Sequence, residues 1–509
     1  MTKMSKTQRR DEVFRSISPA EFFYRNRQMA GFGNPTQAVY STVRELVENS
    51  LDACEDAQRL PRIRVDVESS LSDTLTVTVS DNGTGVPHSQ IPESFGRVLY
   101  GSKYDRRQRR GTFGLGVTMA VLHGQITTDS PVLIHTRDDK SHGVAYKILV
   151  DIERNVPVIE EEQVRKRNYE GTTVSIRLRG DLKRAQERVL EYLRLSTVAS
   201  PHAKIQIVID DSLDLTVGGL VDTVPVPPIP SKPHPRAADV ELLRKLIDRS
   251  ENKKLRSFLI DSFQQVGDRS ASRLLRFVGL HPKAEVRTLN REELSLLGQA
   301  LRSFDGFGRP DIRSLSPIGA DDFLKSIEST FNTSLLRFAN RGSCEWEGNA
   351  FMLEGVVAYG DEFPSAEIPT IYRFANRVPL LYDASECVLT KTLKRVNWSR
   401  YGARGSTPAA LFIHFCSTKV PYKAAGKQSI AHLPQIEEEA LALYRKLGRA
   451  LNVFVKKKER SSRETKRIRE FSKMFGLMAR YGAALAGFEK APPTSHMVRL
   501  LFEGGFDVQ

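Results

Sequence analysis

The sequence predicts an α+β protein of several domains, and three observations indicate that class. The chain has 509 residues, which at about 150 residues per domain corresponds to roughly three domains. Runs of alternating apolar residues lie towards both ends of the chain, and a strand-poor stretch with helical spacing separates them. Residues 225–235 include six prolines in eleven positions, too many for a helix or a central strand, and therefore predict a stiff linker.

The first domain is predicted to be a sheet that helices cover on one face. A helix should begin after Asn34, which can cap it, and extend to about Gln58, because Pro35 suits the first helical position and apolar residues recur at helical spacing. Residues 62–68 and 74–80 alternate in polarity and predict a β-hairpin. Further strands are predicted at 132–136, 144–150, 172–178 and 205–209, and a further helix at 184–195.

The linker precedes a predicted all-helical module and then a third domain, of α/β type. The helical pattern continues to Phe304, with a turn between helices at residues 279–282. Beyond Gly306, strand-like runs return at 350–358, 368–374 and 410–415, and a long helix is predicted from about Gln435. The predicted domains therefore span residues 1–228, 229–305 and 306–509.

Charge and cysteine usage limit the classes of function. A net charge of +15 indicates a polyanionic partner, with nucleic acid as the first candidate. No stretch approaches the ~20 apolar residues of a membrane span, and the amino terminus lacks the apolar core of ~7–15 residues that a secretory signal needs. The cysteines are in no disulfide or zinc-ligand spacing, which fits a reducing compartment: they are Cys54, Cys344, Cys387 and Cys416.

Three short motifs, in a particular order, carry the chemistry. Glu45 and Asn49 lie one turn apart on the first helix, and alone they fit an ordinary solvated face. The segment Asp81-Asn-Gly-Thr-Gly then follows a predicted strand. A second glycine cluster, at residues 111–116, precedes an apolar helical run, where free N–H groups and the helix dipole favour a phosphate. That cluster is neither a Walker A loop nor a Gly-x-Gly-x-x-Gly fingerprint.

The order of these motifs resembles the GHKL superfamily of ATPases, which includes gyrase, the heat-shock chaperone, histidine kinases and MutL. Longer strings are similar to the topoisomerase VI B-subunit family, at residues 44–53, 95–104, 111–117 and 373–381. The resemblance covers nearly the whole chain. It implies a GHKL (Bergerat) ATPase α/β sandwich, a helix-two-turns-helix module, and a transducer domain of ribosomal S5-like α/β fold with a long carboxy-terminal helix.

The resemblance also implies the roles of individual residues. Glu45 would be the general base that aligns and deprotonates the water attacking the γ-phosphate. Asn49 would be a ligand of Mg²⁺, and Asp81 would accept a hydrogen bond from the adenine amino group. Gly83 and Gly85 would let the chain pass close to the adenine base of ATP. The other predicted ATP contacts are Ser102, Lys103, Gly111, Thr112, Phe113, Gly114, Leu115, Gly116, Val117, Thr118 and Thr172.

A lysine outside the ATPase domain completes the predicted site. Lys427 lies in a string, 420–430, that resembles the switch loop of the transducer, although a lone Gly-Lys in a loop is normally surface. By that resemblance Lys427 would reach the γ-phosphate, stabilise the charge of the transition state and report the state of the nucleotide. The basic residues Arg106, Arg107, Arg109 and Arg110 fit either a solvated surface or a nucleotide contact.

The function implied is the ATP- and Mg²⁺-dependent ATPase subunit of a type IIB DNA topoisomerase. ATP binding would dimerise two such subunits around a DNA duplex, and a separate A subunit in an A2B2 assembly would cleave DNA. No membrane is involved, and the site of action would be the prokaryotic cytoplasm, with the nucleoid. Residues 456–473, with nine Lys/Arg and three Glu, fit a solvated helix or a DNA contact, and the helical module fits a spacer or a DNA contact.

Two alternatives share some of these features. A MutL-like repair ATPase has the same ATP motifs, but it does not predict the helical module or the string at 95–104. A non-enzymatic ATP-gated clamp for a strand-break complex would need neither a general base nor a γ-phosphate lysine. The presence of Glu45 and Lys427 argues against the clamp.

Overall fold

A computed structural model describes residues 15–70, 73–101, 108–110, 114–138, 142–166, 170–251, 253–405, 407–424 and 426–494. The described chain contains two β-sheets, one of eight strands and one of six, with helices packed on each. A separate cluster of helices lies between the two sheets in the sequence. The predicted α+β class is confirmed.

The first sheet contains eight strands. They are β1 (Arg62–Ser69), β2 (Thr74–Ser80), β3 (Val132–Arg137), β4 (Val144–Asp151), β5 (Val156–Val164), β6 (Gly171–Arg179), β7 (Lys204–Ile209) and β8 (Leu213–Gly218). Their order in the sheet is β5-β4-β3-β6-β2-β1-β7-β8, and only the β1–β7 pair is parallel among these described strands. The prediction misses both edge strands, β5 and β8. The side chains of β5 are mostly exposed and lack a clear apolar alternation, whereas β8 is a short strand whose alternation, at Leu213, Leu215 and Val217, the prediction overlooks.

Helices cover the buried face of this sheet. They are α1 (Pro19–Arg25), α2 (Pro35–Asp56), α3 (Ile91–Gly96), α4 (Gly116–Thr128) and α5 (Leu182–Ala199). On β2, Leu75, Val77 and Val79 are buried while the residues between them are half-exposed, so one face of the sheet carries the core. The predicted hairpin is confirmed by the antiparallel β1–β2 pair. The predicted cap is confirmed as well, since Oδ1 of Asn34 accepts a hydrogen bond from the Gln37 amide at 2.8 Å.

The proline-rich linker and the helical module follow the predicted order. Residues 219–234 contain no helix or strand, although all of them are described. The module contains α6 (Val240–Arg249), α7 (Leu255–Ser262), α8 (Asp268–Val278) and α9 (Arg291–Ser303), which pack around a core of their own. Gly279, at a φ of +77°, ends α8 in the left-handed conformation that glycine adopts without strain.

The second sheet contains two strands that are buried on both faces, Asn349–Tyr359 and Thr407–Ser417. Its elements, in chain order, are α10 (Ala320–Thr330), β9 (Leu335–Trp346), β10 (Asn349–Tyr359), β11 (Ser365–Ala366), β12 (Thr370–Ala375), β13 (Val378–Pro379), α11 (Val388–Arg395), β14 (Thr407–Ser417) and α12 (Pro434–Leu485). The strand order is β13-β12-β14-β10-β9, with β11 beside β14. One face packs on α11 and α12, and the other packs on α10.

The two sheets are joined by a shared apolar cluster. Leu195 and Val198, near the end of α5, are buried together with Phe323 of α10 and Phe412 of β14. The hydroxyl of Ser326 also donates a hydrogen bond to the Val198 carbonyl at 2.9 Å. Residues from the second sheet are therefore held against the first domain by packing.

All four cysteines are reduced and buried, as their spacing predicts. Among the described residues, no helix combines the length and the apolar character that crossing a membrane would require.

Candidate nucleotide site

Helix α2 places Glu45 at a buried position and Asn49 at a half-buried one. Glu45 is 6% exposed, and the side-chain amide of Asn49 donates to the Glu45 carbonyl at 2.8 Å. The first turn of α4 covers this part of the helix: a Cβ built on Gly116 would fall 1.8 Å from Oε2 of Glu45. The interpretation of this pair as a solvated face is therefore wrong.

Asp81 is held at the end of β2 by three donors. Its Oδ2 accepts from the Ser50 hydroxyl at 2.9 Å, and its Oδ1 accepts from the Gly83 amide at 2.9 Å and from the Thr172 amide at 3.2 Å. The hydroxyl of Thr172 is also hydrogen-bonded to that of Thr136, at 3.0 Å. The structure thus brings Asp81 and Thr172 together, from strands that are neighbours in the sheet.

The glycines after Asp81 allow close packing inside the domain. A Cβ on Gly83 would lie 2.6 Å from the Cβ of Ala53 on α2. Gly85 has a φ of +70°, and a Cβ there would lie 2.1 Å from the Arg137 carbonyl oxygen. Both positions exclude a side chain because of protein contacts. Their predicted role, to let the backbone pass close to the adenine base, stays a prediction.

The second glycine motif is described only in part. Gly114 has a φ of +61°, Leu115 precedes α4, and Gly116, Val117 and Thr118 form its first turn. Among the described residues, no side chain caps this turn, so its N–H groups keep the character of an anion site. Ser102, Lys103, Gly111, Thr112 and Phe113 lie outside the described residues.

Lys427 reaches α2 from the second sheet's domain. It is 5% exposed, and its Nζ lies 3.1 Å from Oε2 of Glu48 and 3.8 Å from Oε2 of Glu45. The guanidinium of Arg44 donates to the Gly426 carbonyl at 2.9 Å and also pairs with Glu45. The interpretation of Gly426-Lys427 as ordinary surface is therefore wrong, because the loop is docked on the helix that carries the predicted base.

This cluster contains as many cations as carboxylates. Burial lowers the pKa of Lys427, but the nearby Glu45 and Glu48 more than offset that effect and raise it overall. Burial raises the pKa of Glu48, against the pull of Lys427 and Arg44. The cluster holds two carboxylates and two cations away from bulk water. Removing any one of them would leave an uncompensated buried charge.

The basic run before the glycine cluster is also engaged with α2. Arg110 is 4% exposed and pairs with Asp52 at 3.1 Å and with Glu55 at 2.7 Å. Arg109 pairs with Asp56. For these two arginines the solvated-surface interpretation is wrong. Arg106 and Arg107 lie outside the described residues.

The donor set at α2 fits magnesium better than a transition metal. In the described ranges, no group of three or more His, Cys, Asp or Glu side chains could hold a metal ion. Mg²⁺ needs few protein ligands, since phosphates and waters supply most of its coordination, and the amide oxygen of Asn49 has the preferred chemistry.

Sequence reasoning missed Arg44 and Glu48, which the structure places between Glu45 and Lys427. The signal was available, because Arg44 and Glu48 are four residues apart and such pairs face each other on a helix. Their guanidinium Nε and carboxylate Oε1 are 3.5 Å apart. Their burial, however, depends on a loop almost 400 residues further along the chain.

Comparison with known proteins assigns a family to each of the two domains that carry a sheet. Residues 34–182 match the family described as Histidine kinase-, DNA gyrase B-, and HSP90-like ATPase. Residues 310–467 match the family described as Topoisomerase VI B subunit, transducer. The first domain is therefore a GHKL ATPase domain, and the domain of the second sheet is a transducer.

Whole-length relatives identify the family. The chain is 39% identical to the B subunit of the type 2 DNA topoisomerase 6 of Metallosphaera sedula, over 92% of this chain and 90% of the relative. It is 37% identical to the corresponding subunits of Saccharolobus islandicus and Saccharolobus shibatae, over 91% of this chain and 88% of each relative. The chain belongs to the topoisomerase VI B-subunit family.

Replacing Lys427 tests whether the buried cluster forms without nucleotide. Lys427→Met should destabilise the protein by about 3–5 kcal/mol, because Glu48 loses a buried counter-ion. Adding Glu48→Gln should recover part of that loss. Lys423→Met is the matched control: it lies in the same loop and pairs with Glu386 at the surface, where a pair contributes at most about 1 kcal/mol. Denaturant unfolding measures all four proteins, and equal stability of Lys427→Met and Lys423→Met would contradict the buried pair.

Proposed function

We propose that this chain is the ATP-hydrolysing subunit of a type IIB DNA topoisomerase. ATP binding would dimerise two copies around a DNA duplex, and an A subunit would cleave the second duplex through which the first passes. One observation carries this proposal: the transducer residue Lys427 lies 3.8 Å from the predicted base Glu45 of the ATPase domain. A nucleotide at Glu45 would therefore act on both domains.

Glu45 would act as the general base. Its carboxylate lies against Gly116, at the start of α4, where the helix dipole favours the phosphates. Phosphoryl transfer depends mostly on positioning and charge stabilisation, so one carboxylate that holds a water in line is sufficient. The pairing with Arg44 orients that carboxylate.

Asn49 and Asp81 would bind the two ends of the nucleotide. Asn49 would hold Mg²⁺, which when bound neutralises charge on the phosphate oxygens. The hydrogen bonds from Ser50, Gly83 and Thr172 orient the Asp81 carboxylate. Such an acceptor favours the amino group of adenine over the carbonyl of guanine, because two acceptors would otherwise face each other.

Lys427 would couple the nucleotide to the transducer. A γ-phosphate beside Glu45 would compete with Glu48 for the lysine, because an oxyanion accepts charge-assisted hydrogen bonds as strong as those of a carboxylate. After hydrolysis and phosphate release, the lysine would lose that partner. The contact between the switch loop and α2 would then change with each cycle.

DNA would contact the exposed, basic part of α12. Arg460 and Arg463 are each 79% exposed, and their i,i+4 pairs with glutamates are too weak to hold them from a phosphate. An A2B2 assembly with the A subunit, association with the nucleoid and B–B dimerisation are parts of the same proposal. The MutL-like alternative is less well supported, because the transducer match covers residues 310–467.

Replacing the general base tests the proposed chemistry. Glu45→Ala should keep ATP binding but lower turnover by about 10²–10⁴-fold, the usual contribution of a general base. Glu187→Ala, an exposed glutamate on α5, is the control and should keep normal turnover. With an A subunit, Mg²⁺ and supercoiled plasmid, the control should relax DNA in an ATP-dependent way and Glu45→Ala should not. Near-normal turnover in Glu45→Ala would rule out its role as the base.

Salt dependence tests the DNA contact of α12. Duplex affinity should fall steeply with salt, and the Arg460→Ala/Arg463→Ala variant should reduce the slope of log K against log salt by ~0.9 for each phosphate that these arginines no longer neutralise. Arg154→Ala/Arg184→Ala is the matched control, since these ATPase-domain arginines are 82% and 81% exposed. Equal slopes for the two variants, or an affinity that hardly changes with salt, would contradict the proposal.

A further inference from the structure

A second polar junction connects α2 to the transducer, nearer the carboxyl end of the helix than the contact of Lys427. Its members come from five places in the sequence, and we call them the Arg377 junction: Glu55, Arg110, His202, Ser316 and Arg377. All are buried or nearly so, with side chains of Glu55 and Arg377 only 13% and 9% exposed. The ion pairs and hydrogen bonds that join these five residues do not include Lys427, Glu45 or Asp81.

Glu55 is the centre of the junction. Arg110 binds its carboxylate in bidentate fashion, at 2.7 and 2.9 Å, and Nε2 of His202 lies 3.0 Å from Oε1. Nη1 of Arg377 lies 3.8 Å from the same Oε1. Burial alone would raise the pKa of Glu55, but the groups around it hold that pKa well below its usual range.

Arg377 is anchored firmly in the transducer. Its guanidinium donates to the Pro317 carbonyl at 2.9 Å and to the Ser316 hydroxyl at 3.2 Å. Its backbone amide donates to Nε2 of His414 at 3.1 Å, and Nδ1 of that histidine lies 2.7 Å from Glu354. A rigid frame of this kind can hold a charged side chain at an interdomain contact.

The backbone at Arg377 has an unfavourable conformation. Asn376 and Arg377 have φ values of +45° and +67° and form the two-residue turn between β12 and β13. Such turns favour Asn-Gly, since a side chain at the second position is strained in the left-handed region. Arg377 therefore occupies a strained position while its side chain makes the buried contacts between the domains, and strain of this kind points to a role for the side chain.

Gln108 makes a parallel connection. Its side-chain amide donates to the Ser316 carbonyl at 2.7 Å and accepts from the Ser316 amide at 2.8 Å. Arg109 and Arg110, the next two residues, pair with acidic residues on the last turns of α2. The three residues 108–110 therefore tie α2 to the same transducer segment that Arg377 contacts.

The junction matters for the nucleotide site because its acidic residue and the acids beside it lie on the same helix as Glu45 and Asn49. Asp52 and Asp56 follow Glu45 and Asn49 at the spacing i, i+4, i+7 and i+11, which is one face of a helix. A rigid helix transmits any shift of one end to the other. The orientation of Glu45 and Asn49 therefore depends on what holds Glu55 and its neighbours.

From this geometry we infer that Arg377 and Glu55 are positioning residues that hold the nucleotide-binding helix in register with the transducer. The inference rests on the proposed function, because it assigns a second interdomain contact to the same ATPase site. A buried ionic contact suits such a role: it tolerates only one arrangement of its partners, whereas an apolar contact could slide.

Arg377→Gly is the direct test in the full-length chain. It removes the guanidinium and also relaxes the left-handed turn, so backbone strain does not oppose folding. We expect kcat for ATP to fall about tenfold, the usual size of coupling between sites, with the Kd for ATP changed less than about threefold. Glu347→Gly is the matched control. It replaces an exposed residue at φ +45° in another hairpin of the same domain and should leave kcat unchanged.

A double-mutant cycle separates positioning from general damage. Gln108 lies on the ATPase side of the interdomain contact and Arg377 lies on the transducer side. The effects of Gln108→Ala and Arg377→Gly on kcat should be strongly non-additive if both residues hold α2 in the same position. Arg377→Lys should restore part of kcat, because it keeps the charge. The inference is overturned if Arg377→Gly keeps the kcat of Glu347→Gly, or if the effects on kcat simply add.

The same experiment distinguishes this inference from the proposed function. If the unmodified chain does not hydrolyse ATP, the proposed function fails. The other result is that the unmodified chain and Glu347→Gly hydrolyse ATP, Glu45→Ala does not, and Arg377→Gly has the same kcat as Glu347→Gly. The proposed function then stands, and only the positioning role of the Arg377 junction is excluded.

Discussion

The acidic groups of α2 must be paired, and the arrangement of both domains follows from that requirement. The helix carries Glu45, Glu48, Asp52 and Glu55 into the interior, where an unpaired carboxylate would cost several kcal/mol. Their partners come from distant parts of the chain: Lys427 and Arg377 from the transducer, and Arg110 from the segment before the glycine motif. The ATPase domain is therefore electrostatically complete only with the transducer docked on it.

This dependence gives a physical basis for coupling. By the proposed function, a triphosphate would bring new negative charge to the middle of α2, where Lys427 already pairs with two carboxylates. The cations would then be shared differently, and a transducer cation that changed partner would move its domain with it. The shared apolar cluster at the end of α5 would oppose separation of the two domains, since packed apolar side chains do not separate freely.

Local features were predictable from the sequence, and long-range pairing was not. The Asn34 cap, the β1–β2 hairpin and the long helix α12 each follow from signals within a few residues. The resemblance to the family implied that Glu45, Asp81 and the glycine motifs belong to one site, and the structure places Gly116 against Glu45 and Asp81 against Ser50 of α2. The burial of Arg110 could not be predicted, because a basic run looks solvated until its acidic partners are known. Likewise, β5 is a strand because of its neighbour in the sheet, with little apolar pattern of its own.

The central claim is that Lys427 changes partner when nucleotide binds. A structure of this protein with a non-hydrolysable ATP analogue and Mg²⁺ measures it directly. The account predicts the Nζ of Lys427 within hydrogen-bonding distance of a γ-phosphate oxygen, about 3 Å, with its distance to Glu48 longer than the present 3.1 Å. A bound analogue whose γ-phosphate makes no contact with Lys427, while the Glu48 pair is unchanged, would contradict it.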